Sequence, residues 1–168
     1  LSMGGGIVLN FVEKYVDAPY AKVMVESPWL ELAKPMPGIV TRFARLVGKI
    51  TPNMAIPSGL DLDAITRDPA VTAQTKADPL FHTRISLRLY AAVYDAGQYT
   101  IAHANAITLP TLVMLGTNDR IISTEAIRRL AANAGMNLTL QEFAGAYHCL
   151  HNETNAAEVR QKMLDFIA

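Results

Sequence analysis

Behind the opening LSMGGG, the apolar residues Ile7, Val8, Phe11, Val12 and Tyr15 recur at helical spacing. A helix therefore follows the glycines at once, and Asp17-Ala18-Pro19 ends it. The run AKVMVES, residues 21–27, is short, largely apolar and stopped by Pro28, the pattern of a buried strand. Prolines then crowd the chain from Pro28 to Pro79 around a single amphipathic helix. In that helix Ile39, Val40, Phe43, Leu46, Val47 and Ile50 share one face, while Arg42, Arg45 and Lys49 leave it. This stretch predicts an inserted subdomain of short helices and loops, with no part in a sheet.

Beyond the insertion, RISLRLYAAVYDAGQYTIAHANA predicts one or two helices interrupted at Gly97. TLVML is a buried strand opened by Pro110 and closed by Gly-Thr-Asn-Asp. Ser123 is placed to cap the helix TEAIRRLAANAG, which Gly135 ends. LTLQEF is a further strand, AGAYHCLHNE a loop, and AAEVRQKMLDFIA a closing amphipathic helix. Strands alternating with helices imply an α/β fold, a parallel sheet flanked by helices. The division expected is sheet domain over residues 1–27, inserted subdomain over 28–80 and sheet domain again over 81–168. Three strands under four helices make a poor sheet by themselves, so part of the sheet is expected to be supplied from outside these residues.

Charge alters this picture little. Fifteen Lys and Arg balance fifteen Asp and Glu, which offers nothing to nucleic acid. The single Cys149 excludes an internal disulfide and any multi-cysteine metal site. No run approaches the roughly 18 apolar residues of a spanning helix, and a cytoplasmic location is the expectation.

The glycine-rich opening has three readings. It fits neither G-x-G-x-x-G nor G-x-x-x-x-G-K-[ST], which weighs against a phosphate cradle. It could be an ordinary tight turn. Or it could be a nucleophile elbow, G-x-S-x-G, of which Leu1-Ser2-Met3-Gly4 supplies all but the first glycine. An elbow serine needs small neighbours two positions away and a helix starting at once, so that the Met3 N–H becomes an oxyanion donor. Such a serine needs a base oriented by an acid, both on loops at the C-terminal ends of later strands, in the order Ser, acid, His. Asp119 follows TLVML and His148 follows LTLQEF, in that order. Asp119 could instead cap the turn before Ser123. His151 is the rival base, farther from the strand end. His82 and His103 fall in inserted or helical segments and suit structural roles. Cys149 suits a small buried filler better than a nucleophile.

The elbow, LPTLVMLGTNDRIIS and YHCLHNE, together with ESPWLELAKP and SGLDLDAITRDPAV in the insertion, resemble the monoacylglycerol lipase and lysophospholipase group of α/β-hydrolases. The resemblance implies Ser2 as nucleophile, Asp119 as acid and His148 as base, with Met3 in the oxyanion hole and no metal or cofactor. It implies that the sheet domain is a hydrolase core and the inserted subdomain its cap. It implies a lipid ester substrate, cleaved through an acyl-serine. A small-ester carboxylesterase, a non-catalytic binding module and an inactive fragment are the alternatives. Met36, Ile39, Val40, Phe43, Leu46, Val47 and Met54 of the cap are candidates for an acyl-chain entrance, unless that face simply packs on the sheet domain. The same face suits transient contact with a membrane or micelle. The group's N-terminal half, with the second oxyanion N–H, is expected as an upstream segment or a separate chain.

Overall fold

The computed structural model describes residues 1–15, 17 and 19–168. Helix α1 (Ser2–Lys14) leads to strand β1 (Val23–Glu26). Then come α2 (Gly38–Ile50), β2 (Ala55–Pro57), α3 (Pro69–Ala77), β3 (Arg84–Ser86) and α4 (Leu87–Ala102). The chain closes with β4 (Thr111–Gly116), α5 (Thr124–Asn133), β5 (Leu138–Phe143) and α6 (Ala156–Ile167).

The three strands expected from apolar runs form one parallel sheet in the order β1-β4-β5, with Val25 opposite Val113 and Val113 opposite Leu140. All six residues of β4 are buried, as a central parallel strand covered on both faces requires. Alternation sorts its side chains into two layers. Val113 and Leu115 join Leu9, Val12, Leu30, Ile127 and Leu130 under α1 and α5. Leu112 and Met114 join Phe143, Leu150 and Val159 under α6.

Three expectations need correction. Residues 28–80 do take part in a sheet: β2 pairs antiparallel with β3, which lies in the segment expected as core, apart from the main sheet. Each strand is three residues long, too short for periodicity to register. Arg84–Ser86 is consequently strand, and α4 starts at Leu87, where the Ser86 hydroxyl accepts the Leu89 N–H at 3.1 Å. Gly97 does not interrupt α4. A Cβ there would sit 2.0 Å from the Leu30 carbonyl oxygen, so the glycine lets a continuous helix press against the chain after β1. The helix expected after the glycines is present as α1; it turns Gly5, Leu9, Val12 and Glu13 inward and leaves Ile7, Val8 and Phe11 exposed, as is Tyr15 just beyond it. It ends at Lys14, and Ala18 of the expected terminator lies outside the described residues.

Candidate active site

Ser2 is half-buried at the first position of α1 with φ +54°, in the left-handed region. That conformation costs a residue with a Cβ about 1–2 kcal/mol, so packing must hold it. The Ser2 carbonyl accepts the Trp29 N–H at 2.9 Å, and the α1 backbone at Gly5 and Gly6 lies against Pro28 and Trp29. A Cβ on Gly6 would come within 2.7 Å of the Trp29 oxygen. The steric need for glycine thus falls at Gly5 and Gly6. At Gly4 a Cβ would meet nothing within 4 Å among the described residues, contrary to the expectation for the second elbow glycine. The N–H of Met3 belongs to the first turn of α1, where backbone donors have no partner within the helix.

At the end of β4, Asp119 does two things at once. Its Oδ1 accepts the N–H groups of Ile121 and Ile122 at 2.8 and 3.1 Å, the turn-capping role. Its Oδ2 accepts from Nδ1 of His148 at 2.7 Å. Both residues are buried, so water competes little for the pair. With Nδ1 committed, Nε2 is the nitrogen left for proton exchange.

Ser27 ties the two halves together, and sequence reasoning saw in it only the end of a strand. It is fully buried, has φ +43°, donates its N–H to the Met114 carbonyl at 2.8 Å and its hydroxyl to the His148 carbonyl at 2.7 Å. Ser2 and His148 therefore both anchor on residues 27–29, at the C-terminal end of β1. The structure joins Asp119 to His148 directly and brings Ser2 to the same rim, with no hydrogen bond from the Ser2 hydroxyl to the imidazole among the described residues.

His151 also has a carboxylate, Glu26 Oε2, at 2.8 Å from its Nδ1. Its Nε2, however, lies 3.5 Å from Cys149 Sγ, so both of its nitrogens are occupied. Cys149 is buried, and burial, reinforced by the Glu26 charge, pushes its thiol up to about 11. That is the opposite of an activated nucleophile. His82 Nδ1 accepts the Arg84 N–H, and His103 stacks on Tyr99, both away from this rim.

The histidine loop is clamped to the insertion through Glu153, whose side chain is fully buried. Its oxygens accept the N–H groups of Tyr147, Arg67 and Thr154 at 2.8, 3.1 and 3.0 Å and Nε of Arg67 at 2.7 Å. Burial alone would raise this carboxyl, but these hydrogen bonds outweigh it and hold Glu153 below the usual carboxylate range. Thr66 donates to the Asn152 carbonyl, and the Cys149 N–H donates to the Ile65 carbonyl, both at 2.8 Å.

A family model described as serine aminopeptidase, S33, matches residues 1–155. The chain belongs to this α/β-hydrolase family. Within S33, it is similar to a monoacylglycerol lipase of Mycolicibacterium smegmatis, 32% identical over 90% of this chain and 54% of the relative. The crystal structure of Paleococcus ferrophilus monoacylglycerol lipase superposes with a TM-score of 0.89 at 30% identity, covering 97% of this chain and 63% of that one. A soluble variant of Saccharomyces cerevisiae monoglyceride lipase, solved with a substrate analog, gives 0.81 at 25% identity over 96% and 57%. The S33 chain thus spans about half the length of the curated relative it matches.

The cap candidates of this S33 chain divide in two. Helix α2 packs on α4 through small residues, Thr41, Ala44 and Gly48. Met36 and Val47, candidates for an acyl entrance, pack with Ile85, Leu87 and Tyr90, in the segment expected as core. Ile39, Phe43, Leu46 and Ile50 form a solvent-facing stripe, 75, 61, 62 and 76% exposed, with Val40 and Met54 also exposed. Among the described residues no helix is long and apolar enough to cross a membrane.

Proposed function

We propose that this chain carries the acyl-transfer machinery of a serine ester hydrolase acting on lipid esters such as monoacylglycerols or lysophospholipids. The observation that carries the reading is the buried Asp119–His148 pair, 2.7 Å apart, at the same sheet rim as a serine strained to φ +54°. Ser2 Oγ attacks the ester carbonyl while His148 Nε2 takes its proton. Asp119 holds the imidazole tautomer and stabilises the imidazolium. The Met3 N–H receives the oxyanion, a donor worth about 3–4 kcal/mol of barrier. The tetrahedral adduct collapses to an acyl-serine as His148 protonates the departing alcohol. Water, deprotonated by His148, then releases the acid and restores Ser2. An open Ser2–imidazole gap agrees with this sequence of events, because such bonds often tighten only around substrate.

Two surfaces define what else the enzyme needs. The open edge of β1 adjoins an apolar groove of Ile7, Val8, Phe11, Tyr20 and Met24. Strands from an upstream segment or separate chain, equivalent to the remainder of the relatives, would cover it and supply the second oxyanion N–H. The stripe Ile39–Phe43–Leu46–Ile50 suits a lipid surface or micelle, from which an acyl chain reaches the rim beneath the cap. The membership of residues 28–80 in that cap is part of this proposal.

A fluorophosphonate probe tests it on the full-length protein. Labelling of Ser2, lost in Ser2→Ala, together with turnover of monoacylglycerol or lysophospholipid, supports the reading. No labelling leaves a non-catalytic module or inactive fragment, and activity confined to acetate esters leaves a small-ester carboxylesterase.

A further inference from the structure

Glu26, Cys149 and His151 form a second cluster, built on the strand end and loop that hold His148 but not used by the acyl-transfer chemistry. One donor atom from each lies within 4.8 Å of the other two. The Nδ1 of His151 is 2.8 Å from Glu26 Oε2, and Cys149 Sγ is 3.5 Å from Nε2 and 3.9 Å from Nδ1 of the same ring. A tetrahedral cation with bonds of about 2.3 Å to sulfur and about 2.0 Å to nitrogen spaces those two donors about 3.5 Å apart. The ligating nitrogen is Nδ1, whose separations of 3.9 Å from sulfur and 2.8 Å from Oε2 lie within about 0.5 Å of such coordination edges, a difference that side-chain rotation covers without moving the backbone. Glu26 is fixed independently, because its Oε1 accepts the Leu150 N–H at 2.5 Å. His151 is 43% exposed on its side chain, which gives a path inward and an open position for water.

A thiolate, an imidazole and a carboxylate together suit a borderline divalent ion better than calcium or magnesium, which favour all-oxygen sets. We propose that Glu26, Cys149 and His151 constitute a binding site for a zinc-class divalent cation, with its fourth position open to water. The proposal is independent of the hydrolase reading, since none of the three residues acts in it. Binding replaces the proton between Nδ1 and Oε2, which moves to Nε2 as the ring changes tautomer. The Cys149 thiol loses its proton to solvent, so one proton is released per ion bound. Coordination, unlike nucleophilic activation, is compatible with a thiol that stays protonated until the ion displaces its proton.

Cobalt(II) titration of the protein, followed by absorbance, tests the site. One equivalent should produce a near-ultraviolet thiolate-to-cobalt band and tetrahedral visible bands, both bleached by Zn2+. Cys149 is the single cysteine of the sequence, so Cys149→Ser should abolish the ultraviolet band and weaken Zn2+ binding at least tenfold by calorimetry. His151→Ala, at an exposed ring, should weaken it comparably; it serves as the deciding variant if circular dichroism shows Cys149→Ser to be unfolded. A spectrum like that of hexaaquo cobalt, or Zn2+ affinity unchanged in His151→Ala, overturns the site and leaves the cluster as a brace for the loop.

Discussion

Replacing Glu153 tests whether the histidine loop is held by the insertion or by its own turns. The carboxylate accepts four hydrogen bonds, two of them from the N–H groups of Tyr147 and Arg67 to one oxygen. Glu153→Ala leaves those donors without a partner and the Arg67 guanidinium without its counter-charge. Breaking a buried ion pair from one side costs about 3–5 kcal/mol. Arg67 is 32% exposed and can rehydrate, so the lower end, about 3 kcal/mol, is expected. At roughly 2–4 °C per kcal/mol for a domain of this size, the Tm should fall by about 6–12 °C. Glu153→Gln keeps one accepting oxygen and turns an amide donor toward Arg67 Nε and the Thr154 N–H, costing about 1–3 kcal/mol. Both are read by scanning fluorimetry and by ester turnover. A double-mutant cycle with Arg67→Ala isolates the link between loop and insertion. If Glu153→Ala moves Tm by less than about 2 °C, or the cycle shows no coupling, the clamp is not what positions His148.

Three further predictions follow from other parts of the molecule. Burial raises the Glu13 carboxyl from 4.5 to about 7, opposed in part by Thr100, His103 and Lys14, and neither oxygen meets hydrogen-bond geometry with a described group. The native state therefore favours the protonated form; stability falls as pH rises from about 4.5 through 7, by about 3 kcal/mol in all. Glu13→Gln should remove that slope in urea melts at pH 5 and pH 8, and an unchanged slope counts against it. Gly97→Ala drives a Cβ into the Leu30 carbonyl and should cost about 3 kcal/mol; a Tm within 2 °C of wild type would contradict the close approach. Phe43→Ser with Leu46→Ser, on the exposed stripe, should lower sedimentation with phosphatidylcholine–phosphatidylglycerol vesicles at least tenfold, each side chain contributing about 1.5 kcal/mol. Equal binding would remove the stripe from lipid contact.

How far the fold could be read in advance depended on the range of the forces involved. The central strand of the main sheet was legible because burial on both faces demands an unbroken apolar run, and TLVML is one. The pairing of β2 with β3 was not, since three-residue strands are set by what they meet in space. Gly97 carried a local signal, an apparent helix break, that a contact with Leu30 overrules. The apolar residues of α1 were legible as helical but not as exposed, because periodicity locates a face without saying what covers it. In α2 the packing face is the small one, Thr41-Ala44-Gly48, which hydrophobic spacing does not mark.

The site divides along the same line. The meeting of Asp119 with His148 could be anticipated because strand ends in a parallel sheet are where side chains converge, a property of order along the chain. Ser27 and Glu26 could not. The hydroxyl of Ser27 finds its acceptor 121 residues away, and Glu26 its Leu150 donor 124 residues away. Nothing local distinguishes a serine and a glutamate at the end of VMVES from any strand terminus. Yet Ser27 adopts φ +43°, a conformation with a cost, as does Ser2 at φ +54°. Two strained residues, one whose carbonyl accepts the Trp29 N–H and one fixing the backbone of the histidine, are stable only if the packing around residues 27–29 is rigid. Rigidity at that joint sets the Ser2-to-His148 separation, and Ser27→Ala, which deletes the hydroxyl anchoring the His148 carbonyl, should therefore lower kcat more than it raises KM. A change in KM alone would mean the joint serves folding and not the alignment of the reacting groups.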